Sequence, residues 1–214
     1  MKNILLRFLL VLSLLIIFIS ISAYSYVSAV SNNISNSVFR LHVIANSDTQ
    51  EDQNLKYTVR DNLLNYMNSF LSTTSTKEDA INIANEHLDD FYKIAKNTIL
   101  EYGYDYSVNI SISKHDFPTK IYGDVTLPAG VYDALRVEIG NASGQNWWCV
   151  MFPPLCFVDI SSGVVPDESK ESLQDELSDE EYDLITTSDS SDSIKFKFKV
   201  VEFIESLKIN LAKK

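Results

Sequence analysis

The chain has 214 residues, 45% hydrophobic and 22% charged, which suits one modest domain with its own core plus a targeting segment. A formal net charge of −11 argues against nucleic acid and anionic lipid head groups as partners, because both are held by clustered Lys and Arg.

The N-terminus reads as an export device. Lys2 and Arg7 precede Phe8 to Ala23, 16 residues without a charge, and the next charged residue is Arg40. Val27-Ser28-Ala29 is a small-residue pattern suited to signal peptidase. Two readings of residues 1–29 stand. One is a signal peptide cleaved after Ala29; the other is an uncleaved anchor whose apolar run is at the short edge of the roughly 20 residues that span a bilayer. Both place the body across the membrane from the N-terminus. Residues 30–37, dominated by Ser and Asn, read as a polar spacer.

Residues 38–158 carry the pattern of a folded signalling domain. Phe39 to Ile44 alternates apolar and polar, as a strand with one buried face does. Ala45-Asn46-Ser47-Asp48 is a turn, and Asp48 with Glu51 looks like a capping box opening a helix that carries Leu55, Val59, Leu63, Met67 and Phe70. Ser75 with Glu78 opens a second helix, which Gly103 closes. Strands are then expected over Val108 to Ser113, Lys120 to Thr126, Tyr132 to Ile139 and Trp147 to Phe152, the last stopped by Pro153-Pro154. Helices first and strands later predict an α+β fold, with helices packed on a mainly antiparallel sheet behind the N-terminal signal peptide or membrane anchor.

Residues 159–193 hold 12 Asp or Glu against the single Lys170, with nine Ser. They read as an acidic, variable segment of weak helices held by Leu173, Leu177, Tyr182, Leu184 and Ile185, with Ser178 and Glu181 as a cap. Residues 194–214 read as a strand followed by an amphipathic helix, both packing on the core.

No nucleophile elbow, zinc-protease, phosphate-loop or dinucleotide motif occurs, so no catalytic residue is named. His42, His87 and His115 fall on separate elements away from the cysteines, so neither a metal nor a cofactor is expected. Cys149 and Cys156 are the only cysteines. Outside the cytoplasm they are either a disulfide, with Pro153-Pro154 turning the chain back, or two buried thiols. Two stretches offer partner-binding candidates. Arg40, His42, Asn46 and Asp48 place a polar cluster beside a helix N-terminus, and Trp147 and Trp148 project to opposite faces of one strand. A cap, a turn and a strand buried on both faces account for the same residues.

These stretches also carry a family likeness. R-L-H-V-I-A-N-S-D from Arg40 to Asp48, the K-x-x-V-R-D of the helix from Lys56, and G-Q-N-W-W-C-V-x-F-P-P-L-C-F from Gly144 resemble stage II sporulation protein R. So do Pro118 to Asp124, Leu127 to Tyr132 and Ala134 to Val137. The likeness covers roughly residues 38–158 and resumes from Lys195 to Leu207. It implies a non-catalytic signal made in the forespore and exported into the space between the two sporulation membranes. There, family members activate a membrane-embedded aspartic protease that processes pro-sigma factor E in the mother cell. The resemblance assigns no contact residues, so the six candidates rest on residue type alone. The competing readings are an exported cell-envelope hydrolase with scattered catalytic residues and an envelope scaffold anchored by residues 8–23.

Overall fold

In the computed structural model, residues 2–71, 74, 76–155, 165 and 167–186 are described. Among the described residues, six helices and a four-stranded mixed sheet make an α+β fold, with a separate two-stranded hairpin. In chain order, the elements are α1 (Lys2–Ser37), β1 (Phe39–Ile44), α2 (Gln50–Leu71), α3 (Lys77–Glu86), α4 (Leu88–Glu101) and β2 (Val108–Phe117). The hairpin strands β3 (Lys120–Tyr122) and β4 (Val125–Leu127) follow, then β5 (Gly130–Ile139), β6 (Asn146–Phe152), α5 (Asp167–Glu176) and α6 (Asp179–Thr186).

The sheet order is β2-β5-β1-β6. β2 and β6 run antiparallel to their neighbours, whereas β1 and β5 pair in parallel, with Leu41 opposite Leu135 and His42 opposite Arg136. The sheet is therefore mainly antiparallel, as the sequence predicts. Residues alternate across it. Leu41, Val43, Leu135, Val137 and Cys149 face α2, α3 and α4, where Leu55, Val59, Leu63, Phe91, Ala95 and Ile99 complete one core. The opposite face builds a second core from Ala134, Tyr132, Val150 and Phe117, joined by Ile34 and Val38 at the end of α1, by Leu127 of the hairpin, and by Leu173 and Ile185.

That second core changes two local readings and bears out a third. All six residues of β1 are buried, so the strand has two covered faces instead of one, and its polar residues Arg40 and His42 are interior. Residues 30–37, read as a spacer, continue α1 as helix. Ile34 is fully buried, Ser31 Oγ donates to the Ala129 carbonyl at 3.3 Å, and Asn33 Nδ2 donates to Glu181 Oε1 at 2.9 Å. A Ser/Asn-rich segment looks like a linker until a neighbour supplies acceptors for its side chains. The acidic segment, in turn, folds as the expected helices α5 and α6, the latter opened by the Ser178–Glu181 capping box. Lys170 ties α5 to Asp124 of the hairpin turn at 2.6 Å.

Helix starts sit one residue later than predicted. Thr49, not Asp48, accepts from the Asp52 amide at 3.3 Å, and Thr76 caps α3 through the Asp79 amide. The partner predicted for that second cap, Ser75, lies outside the described residues. The predicted second helix is broken in two at His87, whose ring stacks on Phe70 at 4.5 Å and hydrogen-bonds Tyr66 at 2.7 Å. Gly103 closes α4 as expected. Its φ of +82° lets its own amide reach the Leu100 carbonyl and the next amide the Ile99 carbonyl, satisfying two orphan acceptors. The terminal strand and helix predicted over 194–214, and residues 187–193, lie outside the described residues.

Candidate functional site

The polar motif after β1 proves to be a clamp. Asn46 Oδ1 accepts from the Asn141 amide at 2.9 Å, while its Nδ2 donates to Asp52 at 2.8 Å. Asp48 Oδ1 accepts from the Gln145 amide at 2.7 Å, and the Ala45 and Asn46 carbonyls bind Gly144 and Ser143. Burial pushes the Asp52 carboxyl up, but hydrogen bonds from Ser47, Asn46, Tyr106 and Thr49 outweigh it and hold the group below its usual range. Asn46 and Asp48 thus lock the start of α2 to the β5–β6 loop. Lys56, also buried, joins this lock by donating to Gln53 Oε1 at 2.6 Å and to the Gln145 carbonyl at 3.1 Å.

The two tryptophans part company, as adjacent strand residues must. Trp147 faces the helix layer, where Arg60 stacks on it at 4.2 Å and Tyr57 meets it edge-on at 5.7 Å. Trp148 faces the other way and stacks on His42, with ring centroids 3.8 Å apart.

On that second face, the strand register aligns Trp148, His42, Arg136 and Ser111 in one row across all four strands. Arg136 lies between two partners. Its NH2 pairs with Glu138 at 2.7 Å, and its NH1 meets His115 Nδ1 at 3.3 Å. His42 Nε2 hydrogen-bonds Asn146 Oδ1 at 2.7 Å. Burial lowers His42 to about 4; the Asn146 hydrogen bond opposes the shift, and the positive Arg136 adds to it. One pleat away, Arg40 is fully buried within an aromatic cage. Its guanidinium lies 4.1 Å from the Phe117 ring centroid and 4.7 Å from that of Tyr132, and it donates to the Tyr122 hydroxyl and, at 3.4 Å, to the Cys149 carbonyl. Among the described residues it has no ion pair.

One nucleophile–base contact occurs on this face. Ser113 Oγ lies 2.9 Å from His115 Nε2. Its polarity is wrong for a hydrolytic triad, in which a carboxylate accepts from the far nitrogen and steadies the imidazolium. Here an Arg136 N–H occupies that place, so Nδ1 is the acceptor, and burial with the arginine charge lowers the His115 pKa. No group of three His, Cys, Asp or Glu able to hold a metal occurs among the described residues. Cys149 is disulfide-bonded; the other cysteine, Cys156, lies outside the described residues.

Of the six candidates, the structure brings Arg40, His42 and Trp148 together on one face. It sends Trp147 to the other and gives Asn46 and Asp48 to the loop clamp. Sequence reasoning missed Arg136, Glu138 and His115. The signal was present in β5, where Tyr132, Ala134, Arg136 and Glu138 alternate with Asp133, Leu135, Val137 and Ile139.

Fold and site together define a compact α+β domain behind an N-terminal helix long and apolar enough to cross a membrane. Residues 35–162 match the family described as Stage II sporulation protein R. The chain is also 34% identical over 185 residues to Stage II sporulation protein R of Bacillus subtilis (strain 168), covering 81% of this chain and 83% of that protein. No solved structure matches. The chain belongs to the stage II sporulation protein R family, a family of sporulation proteins.

Proposed function

We propose that this protein is an exported sporulation signal that activates a membrane-embedded aspartic protease and so triggers processing of pro-sigma factor E. The observation that carries the reading is the family match across the folded body, joined to an N-terminal helix long and apolar enough to cross a membrane. Such a protein acts by contact, not by turnover, and the reversed polarity of the Ser113–His115 pair favours that role over a hydrolase. On this reading the body works in the space between the forespore and mother-cell membranes, and the forespore supplies it.

Co-expression provides the test. Protease and pro-sigma factor are produced with and without the full-length chain, and cleavage is followed by immunoblot. Cleavage that depends on this chain supports activation. Equal cleavage in its absence rejects the proposal.

A further inference from the structure

Four buried side-chain nitrogens lack a hydrogen-bond partner among the described residues: Arg40 NH1, His42 Nδ1, Arg136 Nε and Trp147 Nε1. Buried polar groups are nearly always paired, so such atoms call for an explanation. Three of the four belong to side chains on the same face of the two central strands. His42 and Arg136 are opposite one another, and Arg40 is one pleat, about 7 Å, along β1. Their chemistry differs in a useful way. Arg40 NH1 and Arg136 Nε are donors. With Asn146 Oδ1 accepting from Nε2, the neutral His42 presents Nδ1 as an acceptor. Arg40 is moreover an interior cation with no carboxylate partner among the described residues, held by its aromatic cage and two hydrogen bonds, so a nearby anion would compensate its charge further.

We propose that this face is a binding site for a carboxylate-bearing peptide segment of a partner protein. The carboxylate of an Asp or Glu accepts from Arg136, with the Arg40 charge behind it, and the main-chain N–H of the same segment donates to His42 Nδ1. A sulfate ion, which carries no O–H at neutral pH, supplies the first interaction and not the second, which selects the peptide source. Arg136, with a side chain 30% exposed, is the point of entry. Arg40, sealed beneath Tyr122 and Phe117, lies behind this contact and adds its positive charge from the interior. Glu138 already pairs with Arg136 and opposes a second carboxylate, so the site is weak for an isolated amino acid and depends on the segment's other contacts. The assignment rests on this geometry and stands whichever protein supplies the peptide.

The test uses the full-length protein, 15N-labelled, in uncharged phosphatidylcholine nanodiscs. N-acetyl-aspartate N-methylamide, its asparagine analogue and inorganic sulfate are titrated separately, and the Arg Nε–H and His42 ring resonances are recorded. The aspartyl probe is expected to shift Arg136 and His42 saturably at millimolar concentration, with the asparaginyl probe and sulfate at least tenfold weaker. Arg136→Gln is expected to weaken the aspartyl probe about tenfold with an unchanged melting temperature. Sulfate equal to or stronger than the aspartyl probe overturns the peptide assignment. Absence of any saturable shift overturns the site itself, leaving an interior satisfied by solvent. Should Arg136→Gln lower the melting temperature, Arg136→Lys provides the check. Lys keeps the charge but not the planar fork, and retention of full affinity by a folded Lys variant also counts against the site.

Discussion

Arg40 and His42 show how residue type misleads when burial is unknown. Both are polar on an alternating strand, and both are interior because the end of α1 and the hairpin cover the sheet face they occupy. His42 yields a direct prediction. Its folded value of about 4 lies below the 6.5 of an unfolded chain. The unfolded state therefore binds more protons between these values, and stability falls as pH drops from 6.5 towards 4. The loss is at most about 3 kcal/mol, absent above pH 6.5 and complete below about pH 4. Comparing chemical denaturation of the native chain with His42→Gln across this range isolates the contribution. A slope that survives the substitution unchanged assigns the pH dependence elsewhere. Arg40→Lys is expected to destabilise by about 2 kcal/mol, since an ammonium cannot stack as a planar guanidinium does on Phe117 and Tyr132.

Elements here are positioned by their ends. Gly103 and Gly140 both have positive φ, but their surroundings differ. A Cβ at Gly103 meets nothing within 4 Å, so Gly103→Ala costs only backbone strain, about 1–2 kcal/mol. A Cβ at Gly140 runs into Asn46 Oδ1, the acceptor that anchors Asn141, so Gly140→Ala adds the loss of the loop clamp. Thermal unfolding of the two variants should rank Gly140→Ala well below Gly103→Ala. Equal losses contradict the clamp. The one-residue displacement of the first predicted helix cap has a tertiary cause. A cap is chosen by which hydroxyl reaches the first free amides, and Asp48 is engaged by the Gln145 amide across the loop.

For the molecule as a whole, the end of α1 matters most. Lys77 joins Asp133 at 2.7 Å and also donates to the Ser35 carbonyl at 3.2 Å, linking α3, β5 and α1 at one point. Ser37 Oγ donates to the Glu176 carbonyl at 3.0 Å, bringing in α5. A chain beginning at Val30 retains these contacts and is expected to fold. One beginning at Phe39 loses Ile34 and Val38 from the second core and should melt lower or fail to stay soluble. In the longer chain, Ile34→Asp places an unpaired carboxylate in that core, with an expected cost of about 3 kcal/mol or more, read by denaturation. Normal melting of both altered chains would show that the helix end merely lies on the body.

The sequence by itself determined what is local or periodic. It specified the apolar N-terminal run, the alternation of β1, β2, β5 and β6, the glycine that stops α4, the weak helices of the acidic segment and the family motifs. Each of these depends on neighbours a few residues apart, so spacing alone reveals it. The tertiary structure decided which polar residues are interior, where a Ser/Asn-rich stretch continues as helix, and that Arg136 and His115 join His42 and Trp148 in one cluster. Those outcomes depend on which distant surfaces cover a strand and which strand lies beside it. The parallel β1–β5 register, set between residues about ninety positions apart, decides that neighbour and is invisible to any local pattern.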